Sequence, residues 1–306
     1  MNSWHIFVFS FNRGIFLKNC LDSIKQCCLN IDVTVIDDNS DDPATHKILN
    51  TVEMNYGFEL IKAEKSKTIE KRLGGLYGNM NMALAISKKK DKDYMLFIQD
   101  DMQFVRKVEP EDLSIIEKVF DDFDDIQQVQ SCFLKNLQIE HYKSHLSHIK
   151  ANNCFISDND VDDLSAFSDV GIFCVPRFEQ KNEVFLAGER ENNKKALQCN
   201  VRLAHLERPF MMWLPYGTSY QSKKLNLKHK IIETIAQCGF YPIDIMDDAT
   251  YQNMIDNEQE KLPIAEHWLK ADGLSNYPTW CFSAGVINLF ARGGLRRKIA
   301  KLLWKL

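Results

Sequence analysis

The sequence has no CxxC pair, no HExxH, no GxxxxGK[ST], and no apolar run of the roughly 18 residues that a membrane-spanning helix needs. Each absence removes a class of protein. Nine cysteines, an odd count without metal-ligand spacing, argue against a disulfide framework and a thiolate zinc site. Cys132 and Cys174 stand inside apolar runs, where reduced core thiols are expected. Without a P-loop, and with Gly74-Gly75-Leu76-Tyr77-Gly78 not following a strand as GxGxxG would, any bound phosphate must be met by side chains and a cation. Internal repeats and low-complexity linkers are missing too. The N-terminus runs into a strand pattern with no charged, apolar and cleavable leader, so a cytoplasmic location is expected.

What is present is a soluble globular composition over 306 residues, enough for one large α/β unit with elaborations or for two domains. The formal net charge of -4 hides an asymmetry: residues 291 to 306 hold six basic side chains and no acid, which leaves the first 290 residues at -10. Short β-branched and aromatic runs alternate with helical patterns in the first hundred residues. Strands are expected at His5 to Phe9, Val33 to Asp37, Phe58 to Ala63 and Tyr94 to Gln99, and helices at Gly14 to Cys27, Pro43 to Met54 and Arg72 to Lys89. This alternation calls for a mostly parallel sheet with helices on both faces. Further on, the pattern gives a helix near Glu111 to Phe120, a strand near Val129 to Phe133, an irregular stretch from Leu137 to Ser168, and strands at Val170 to Val175 and Met211 to Leu214.

In such a sheet, ligands bind beyond the carboxyl ends of the strands. Three of those ends are polar: Ser10-Phe11-Asn12-Arg13, Asp37-Asp38-Asn39-Ser40 and Gln99-Asp100-Asp101. Carboxylates converging from two strand ends repel one another, and a divalent cation would relieve them. Mg²⁺ or Mn²⁺ takes one or two protein carboxylates and leaves its other positions to water and phosphate, which suits a nucleoside diphosphate.

In order and spacing across residues 4 to 105, these three segments resemble the GT-A glycosyltransferases of family 2. The resemblance implies a Rossmann-like mostly parallel sheet flanked by helices, with a nucleotide-sugar-binding half over residues 1–105 and an elaborated acceptor-binding half over 106–222. Residues 223–306 are expected to add helical elements and a basic amphipathic tail. It further implies that Phe9 and Phe11 flank the base, that Asp38 hydrogen-bonds it, that Asp37, Arg13 and Arg72 complete the donor site, that Asp100 contacts ribose or sugar, and that Asp101 ligates Mg²⁺ or Mn²⁺. The DXD-type site reads Gln99-Asp100-Asp101, with an uncharged carbonyl donor in place of its first acid.

A second match, Phe185-Leu186-Ala187-Gly188-Glu189-Arg190-Glu191, resembles the segment from which inverting members recruit a general base. Direct displacement needs a carboxylate within reach of the acceptor hydroxyl, opposite the departing diphosphate. Glu189 is the first candidate and Glu191 the second. Read without the resemblance, Asp37 to Ser40 is equally a helix-capping turn and Glu189 a first-turn acid favoured by the helix dipole.

The expected activity is transfer of a sugar from a nucleotide sugar, a UDP-sugar by preference, to a glycan or lipid-linked acceptor. Two alternatives are a sugar-nucleotide nucleotidyltransferase, whose Gly-rich, Arg-containing loop is missing from Phe9 to Leu17, and a non-catalytic nucleotide- or glycan-binding module. Leu137 to Ser168 is long enough to order over the site as a lid. Trp213, Pro215, Tyr216 and Tyr220 form an aromatic patch suited to sugar C–H faces or to core packing. Leu295, Ile299, Leu302, Leu303 and Leu306 repeat at helical spacing among the basic residues of 291–306, as in a helix lying on an anionic membrane surface at its inner face or packed on the acidic body. No nucleic-acid recognition motif accompanies this charge.

Overall fold

The computed structural model describes residues 3–28, 30–63, 75–158, 166–181, 184–214, 240–257 and 262–271. The chain opens as β1 (Trp4–Ser10), α1 (Gly14–Cys27), β2 (Asp32–Asp37), α2 (Pro43–Leu49), β3 (Glu59–Lys62), α3 (Leu76–Lys89) and β4 (Tyr94–Gln99). These strands pair in parallel in the order β3-β2-β1-β4. Every residue of β1 is buried, because Ile6 and Val8 pack on one face while Phe7 and Phe9 pack on the other.

The first face is covered by α1 through Leu17, Leu21 and Ile24, and by α4 (Pro110–Asp122) through Ile116 and Val119. The second is covered by α3 through Tyr77, Met80 and Leu84. Each such buried aliphatic side chain contributes roughly 1.5–3 kcal/mol relative to exposure, so packing holds α1 in place. Its N-cap residue, Arg13, makes no side-chain cap.

The second half contributes β5 (Met102–Phe104), β6 (Ile126–Gln130), α5 (Ile139–His145), β7 (Leu146–Ile149), β8 (Cys154–Ser157), β9 (Gly171–Cys174), α6 (Val175–Lys181), α7 (Glu189–Gln198), β10 (Arg202–Leu206) and β11 (Met211–Trp213). The main sheet runs β3-β2-β1-β4-β9-β6-β10-β8-β7, while β5 and β11 form a separate antiparallel pair. β9 is antiparallel to β4 and β6, and β8 to β10 and β7; the other seven strands share one direction. The ends of β1, β2, β4 and β6 therefore meet the start of β9 on one edge of the sheet.

Three expectations from the sequence need correction. The helix from Pro43 stops at Leu49, where the Thr51 hydroxyl donates to the Ile48 carbonyl at 2.8 Å, and Val52–Tyr56 winds as a separate π turn. The strand expected at Val129 to Phe133 begins earlier, at Ile126, because three of its five buried residues are glutamines and carry no apolar signal. The irregular stretch from Leu137 contains α5, β7 and β8. Only 159–165 of it lie outside the described residues, so most of the expected lid is part of the sheet or packed beside it.

Arg72, Pro215, Tyr216, Tyr220 and 291–306 also lie outside the described residues. The described cysteines form no disulfide. Among the described residues no helix is long and apolar enough to cross a membrane.

Candidate functional site

Both turns that leave β1 and β2 pass through a left-handed asparagine, Asn12 at φ 53° and Asn39 at φ 57°. Asparagine tolerates this conformation better than most side chains, and it lets each chain reverse sharply at the sheet edge. The two turns are tied together. The Asn12 N–H donates to Ser40 Oγ at 2.9 Å, and the Asp41 N–H donates to Asn12 Oδ1 at 2.8 Å.

Phe9, Ser10, Phe11, Arg13, Asp38, Leu76, Asn79, Gln99 and Asp100 then line one cleft of about 160 Å³. Five sequence-predicted residues, Phe9, Phe11, Arg13, Asp38 and Asp100, are thus brought together. Phe9 is mostly buried with its ring edge-on to Phe97, so Phe11 offers the more accessible ring. Asp38 accepts from the Gly75 N–H at 2.7 Å and from Asn79 Nδ2 at 3.4 Å. Gly75 is required for that approach, since a Cβ there would lie 2.1 Å from Asp38 Oδ1.

Asp37 points elsewhere. Its carboxylate is buried and accepts from the Ser40 N–H at 2.9 Å and the Ser40 hydroxyl at 2.5 Å, bracing the turn beneath the cleft.

At the foot of the cleft the Arg13 guanidinium donates to Asp100 Oδ1 at 3.1 Å and Asp101 Oδ2 at 2.7 Å, while the Phe11 N–H donates to Asp100 Oδ2 at 2.9 Å. Burial, followed by the neighbouring Asp101, pushes Asp100 above the usual carboxylate range, against the opposing pull of Arg13. Arg13 thus supplies part of the charge relief that the sequence assigned to a metal ion.

Among the described residues no group of three or more His, Cys, Asp or Glu is arranged to hold a metal. What Asp100 and Asp101 provide is a pair of carboxylates at the cleft foot. This donor set fits a Mg²⁺ or Mn²⁺ ion that takes most of its ligands from water and phosphate.

A second cavity, of about 250 Å³, lies further along the same edge, and Gln130, Tyr142, Phe167, Glu189, His205 and Trp213 are among its lining residues. The small β5-β11 sheet links the two, for Trp213 pairs with Met102 and the Leu214 N–H donates to the Asp101 carbonyl at 2.8 Å.

Glu189 is the first residue of α7, where the helix dipole lowers an acid's pKa. Burial, and then the charge of Asp169, outweigh this and push it up to about 7. Asp169 itself is pushed up to about 6 by burial, although Tyr77 Oη donates to its Oδ1 at 2.7 Å. Glu191, the second candidate, is exposed and ion-paired to Lys194 at 2.9 Å, and it lines neither cavity. The correction follows from helix geometry: two residues along a helix is about 200° around it, so Glu189 and Glu191 face opposite ways.

Sequence reasoning missed Asn79, Tyr77, Gln130, Asp169 and His205. The one available signal was Asp169 standing directly before a buried strand, at the same sheet edge as the acidic turns. His141 and His145 share a face of α5, with rings 4.6 Å apart at the second cavity, whereas His148 lies on β7 and pairs with Glu207 at 2.9 Å.

The sequence profile of glycosyl transferase family 2 matches residues 5–181. None of the curated proteins matches the sequence. Three solved structures are similar in fold at low identity. TarS of S. aureus shares 13% identity at a TM-score of 0.49, over 83% of this chain and 42% of its own. GalNAc-T7, solved with UDP, GalNAc and Mn²⁺, shares 12% at 0.44, over 69% and 43%. The mannosyltransferase PcManGT from Pyrobaculum calidifontis, in complex with GDP-Man and Mn²⁺, shares 12% at 0.46, over 98% and 79%. The chain thus spans about two fifths of the length of the first two.

Proposed function

We propose that this chain, which belongs to glycosyl transferase family 2, is a glycosyltransferase of GT-A fold and transfers a sugar from a nucleotide sugar to a hydroxyl activated by Glu189, with inversion. One observation carries the reading. A cleft with an aromatic ring, acids and a guanidinium opens on the same sheet edge as a cavity lined by Glu189, a carboxyl that burial pushes above its ordinary range.

In this reading residues 1–105 form the donor half and 106–222 the acceptor half, followed by the C-terminal elements of 223–306. The base stacks on Phe11, beside Phe9. Asp38, oriented by Gly75 and Asn79, accepts a hydrogen bond from the base, a role that suits uracil and hence a UDP-sugar. Asp100 receives a ribose or sugar hydroxyl, and Arg13 meets the diphosphate. Asp37 acts through the turn it braces. Arg72 is assigned to the diphosphate on sequence alone.

Asp101, with Asp100 beside it, would hold Mg²⁺ or Mn²⁺ together with the diphosphate. When bound, that ion supplies positive charge to the leaving group.

The acceptor, a glycan or lipid-linked sugar, occupies the second cavity, where the half-buried Trp213 offers a face for sugar C–H groups. Glu189 removes the proton from the acceptor hydroxyl as its oxygen bonds to the anomeric carbon. The bond from that carbon to the diphosphate breaks on the opposite face, and the nucleoside diphosphate leaves with the electron pair. A base with a pKa near 7 is half ionised at neutral pH and still strong enough to take the proton. A carboxyl at an ordinary pKa would be ionised but a weaker base.

A thermal-shift panel of UDP- and GDP-sugars, with and without Mn²⁺ or Mg²⁺, tests the donor assignment. Stabilisation by a uridine nucleotide is expected. No response to any nucleoside diphosphate would overturn it.

A further inference from the structure

The strands that wall the second cavity present no acid, lysine or arginine to it. Among the described residues its strand-borne lining is Gln130, Leu146, Ser157, Leu203, His205 and Trp213. Gln130, the last residue of β6, is only 4% exposed. Its Nε2 donates to the Val170 carbonyl at 2.8 Å. A carbonyl can only accept, so the amide cannot be turned end for end, and Oε1 is the end left over. Among the described residues no group donates to that oxygen. A buried acceptor without a donor costs about 1–3 kcal/mol, so its presence calls for a partner from outside the chain. Gln130 borders the cavity, and a donor held there can supply the bond.

His205 stands across the ladder. It is the register partner of Gln130 on β10, so the two side chains leave the sheet on one face from backbones about 4.8 Å apart. Among the described residues no hydrogen bond engages its imidazole, and burial keeps the ring neutral. A neutral imidazole has one N–H to give and one nitrogen that accepts. The two side chains together therefore suit hydroxyls, which both donate and accept. An ionised phosphate or carboxylate has no proton to give Gln130 Oε1. Formal charge argues the same way, because Asp158 and Glu189 line this cavity against Lys135, whose ammonium lies over the Trp213 ring at 4.7 Å. His141 and His145 also line it and add charge only when protonated.

We propose that Gln130 and His205 are specificity-determining residues that hold two neighbouring hydroxyls of an uncharged sugar ring, so that the acceptor is a neutral glycan unit at the point of attack. Gln130 Oε1 accepts from one hydroxyl, and His205 bonds the next. A further hydroxyl of the ring is left to Glu189, which lines the same cavity. The proposal deepens the reading of the second cavity as the acceptor site and rests on it.

The test is an NMR saturation-transfer titration of the full chain, with and without UDP and Mn²⁺. The probes are the methyl glycosides of glucose, galactose, mannose and N-acetylglucosamine, their monodeoxy analogues, and the corresponding sugar phosphates. At least one neutral glycoside should bind saturably, and removing either of two adjacent hydroxyls should weaken it about tenfold. In Gln130→Met one of these penalties should shrink below about twofold, and in His205→Phe the other, as coupling between a side chain and the hydroxyl it holds requires. A side chain that merely supported the fold would weaken parent and deoxy compounds alike. The Val170 carbonyl keeps its 2.7 Å bond from Gln128 Nε2 in Gln130→Met, and His205→Phe breaks no side-chain hydrogen bond among the described residues, so each variant can be read if the other fails to fold. Penalties that persist in either folded variant, tighter binding of the sugar phosphates than of the glycosides, or no saturable binding by any neutral glycoside would overturn the proposal. These titrations require no turnover, so they can fail while the thermal shift by UDP stands, and succeed while it fails.

Discussion

Replacing Glu189 by Gln should stabilise the protein at alkaline pH. The sign follows from linkage. Glu189 has a folded pKa of about 7 against an ordinary 4.5, so the native state favours its protonated form. Below pH 4.5 the carboxyl is protonated in both states and folding bears no penalty. As pH rises towards 7 the unfolded chain ionises first, and stability is lost until the folded carboxyl ionises as well. At ~1.4 kcal/mol per tenfold change in proton affinity, the rise bounds the loss at about 3 kcal/mol. Water at the cavity mouth reduces it to ~2 kcal/mol.

Gln cannot ionise and escapes this loss, while keeping nearly the same size and shape. Urea unfolding of both proteins at pH 5 and pH 8.5 reads the effect. Part of the loss is already present at pH 5, about half a unit above the ordinary value, so the advantage of the variant should grow by a further ~1 kcal/mol between the two pH values, a difference that cancels any pH-independent change in packing. A gap that stays constant, or that shrinks at pH 8.5, would refute the assignment of a raised pKa to this carboxyl.

Three other substitutions probe separate parts of the account. Gly75→Ala places a methyl on the Asp38 carboxylate, which swings aside and loses its Gly75 bond; calorimetry should find nucleoside diphosphate binding weakened about tenfold with the fold intact, and unchanged affinity would remove Asp38 from the base site. Arg106→Ala strands the buried Asp112, which Arg106 holds with two bonds of 2.8 Å while also donating to the Pro209 and Lys107 carbonyls, and urea unfolding should register a loss of about 3–5 kcal/mol. Asp101→Asn should remove most of the Mn²⁺-dependent part of the thermal shift given by UDP while sparing the metal-free part; a shift still fully dependent on Mn²⁺ would place the ion elsewhere.

Much of the first half was legible in the sequence because its strands are apolar on both faces and its helices carry clean stripes. β1, β2, β4 and α1 fall where their residues predicted, and Ser10, Phe11, Arg13, Asp38 and Asp100 share one strand-end cleft. The second half was harder for a physical reason. β6 buries three glutamines and β10 carries Arg202 and His205, so neither shows the apolar run or alternation that marks a strand. Gln128 and Gln130 bond to the segment that enters β9, and Gln130 and His205 line the second cavity, so the residues that hid these strands belong in part to the site. The contact of Arg13 with Asp100 and Asp101 joins segments nearly ninety residues apart and depends on β1 lying beside β4, a neighbour relation that no local pattern encodes. Glu189 and Glu191 could be ranked only once α7 had an orientation.

The central claim, a nucleotide-sugar glycosyltransferase with Glu189 as its base, is tested most directly by incubating the wild type and Glu189→Gln with UDP-sugars, Mn²⁺ and a glycan acceptor mixture and measuring released UDP. The account predicts release by the wild type, loss of release in the variant by at least a hundredfold, and equal affinity of both proteins for UDP. Undiminished release by Glu189→Gln would contradict it.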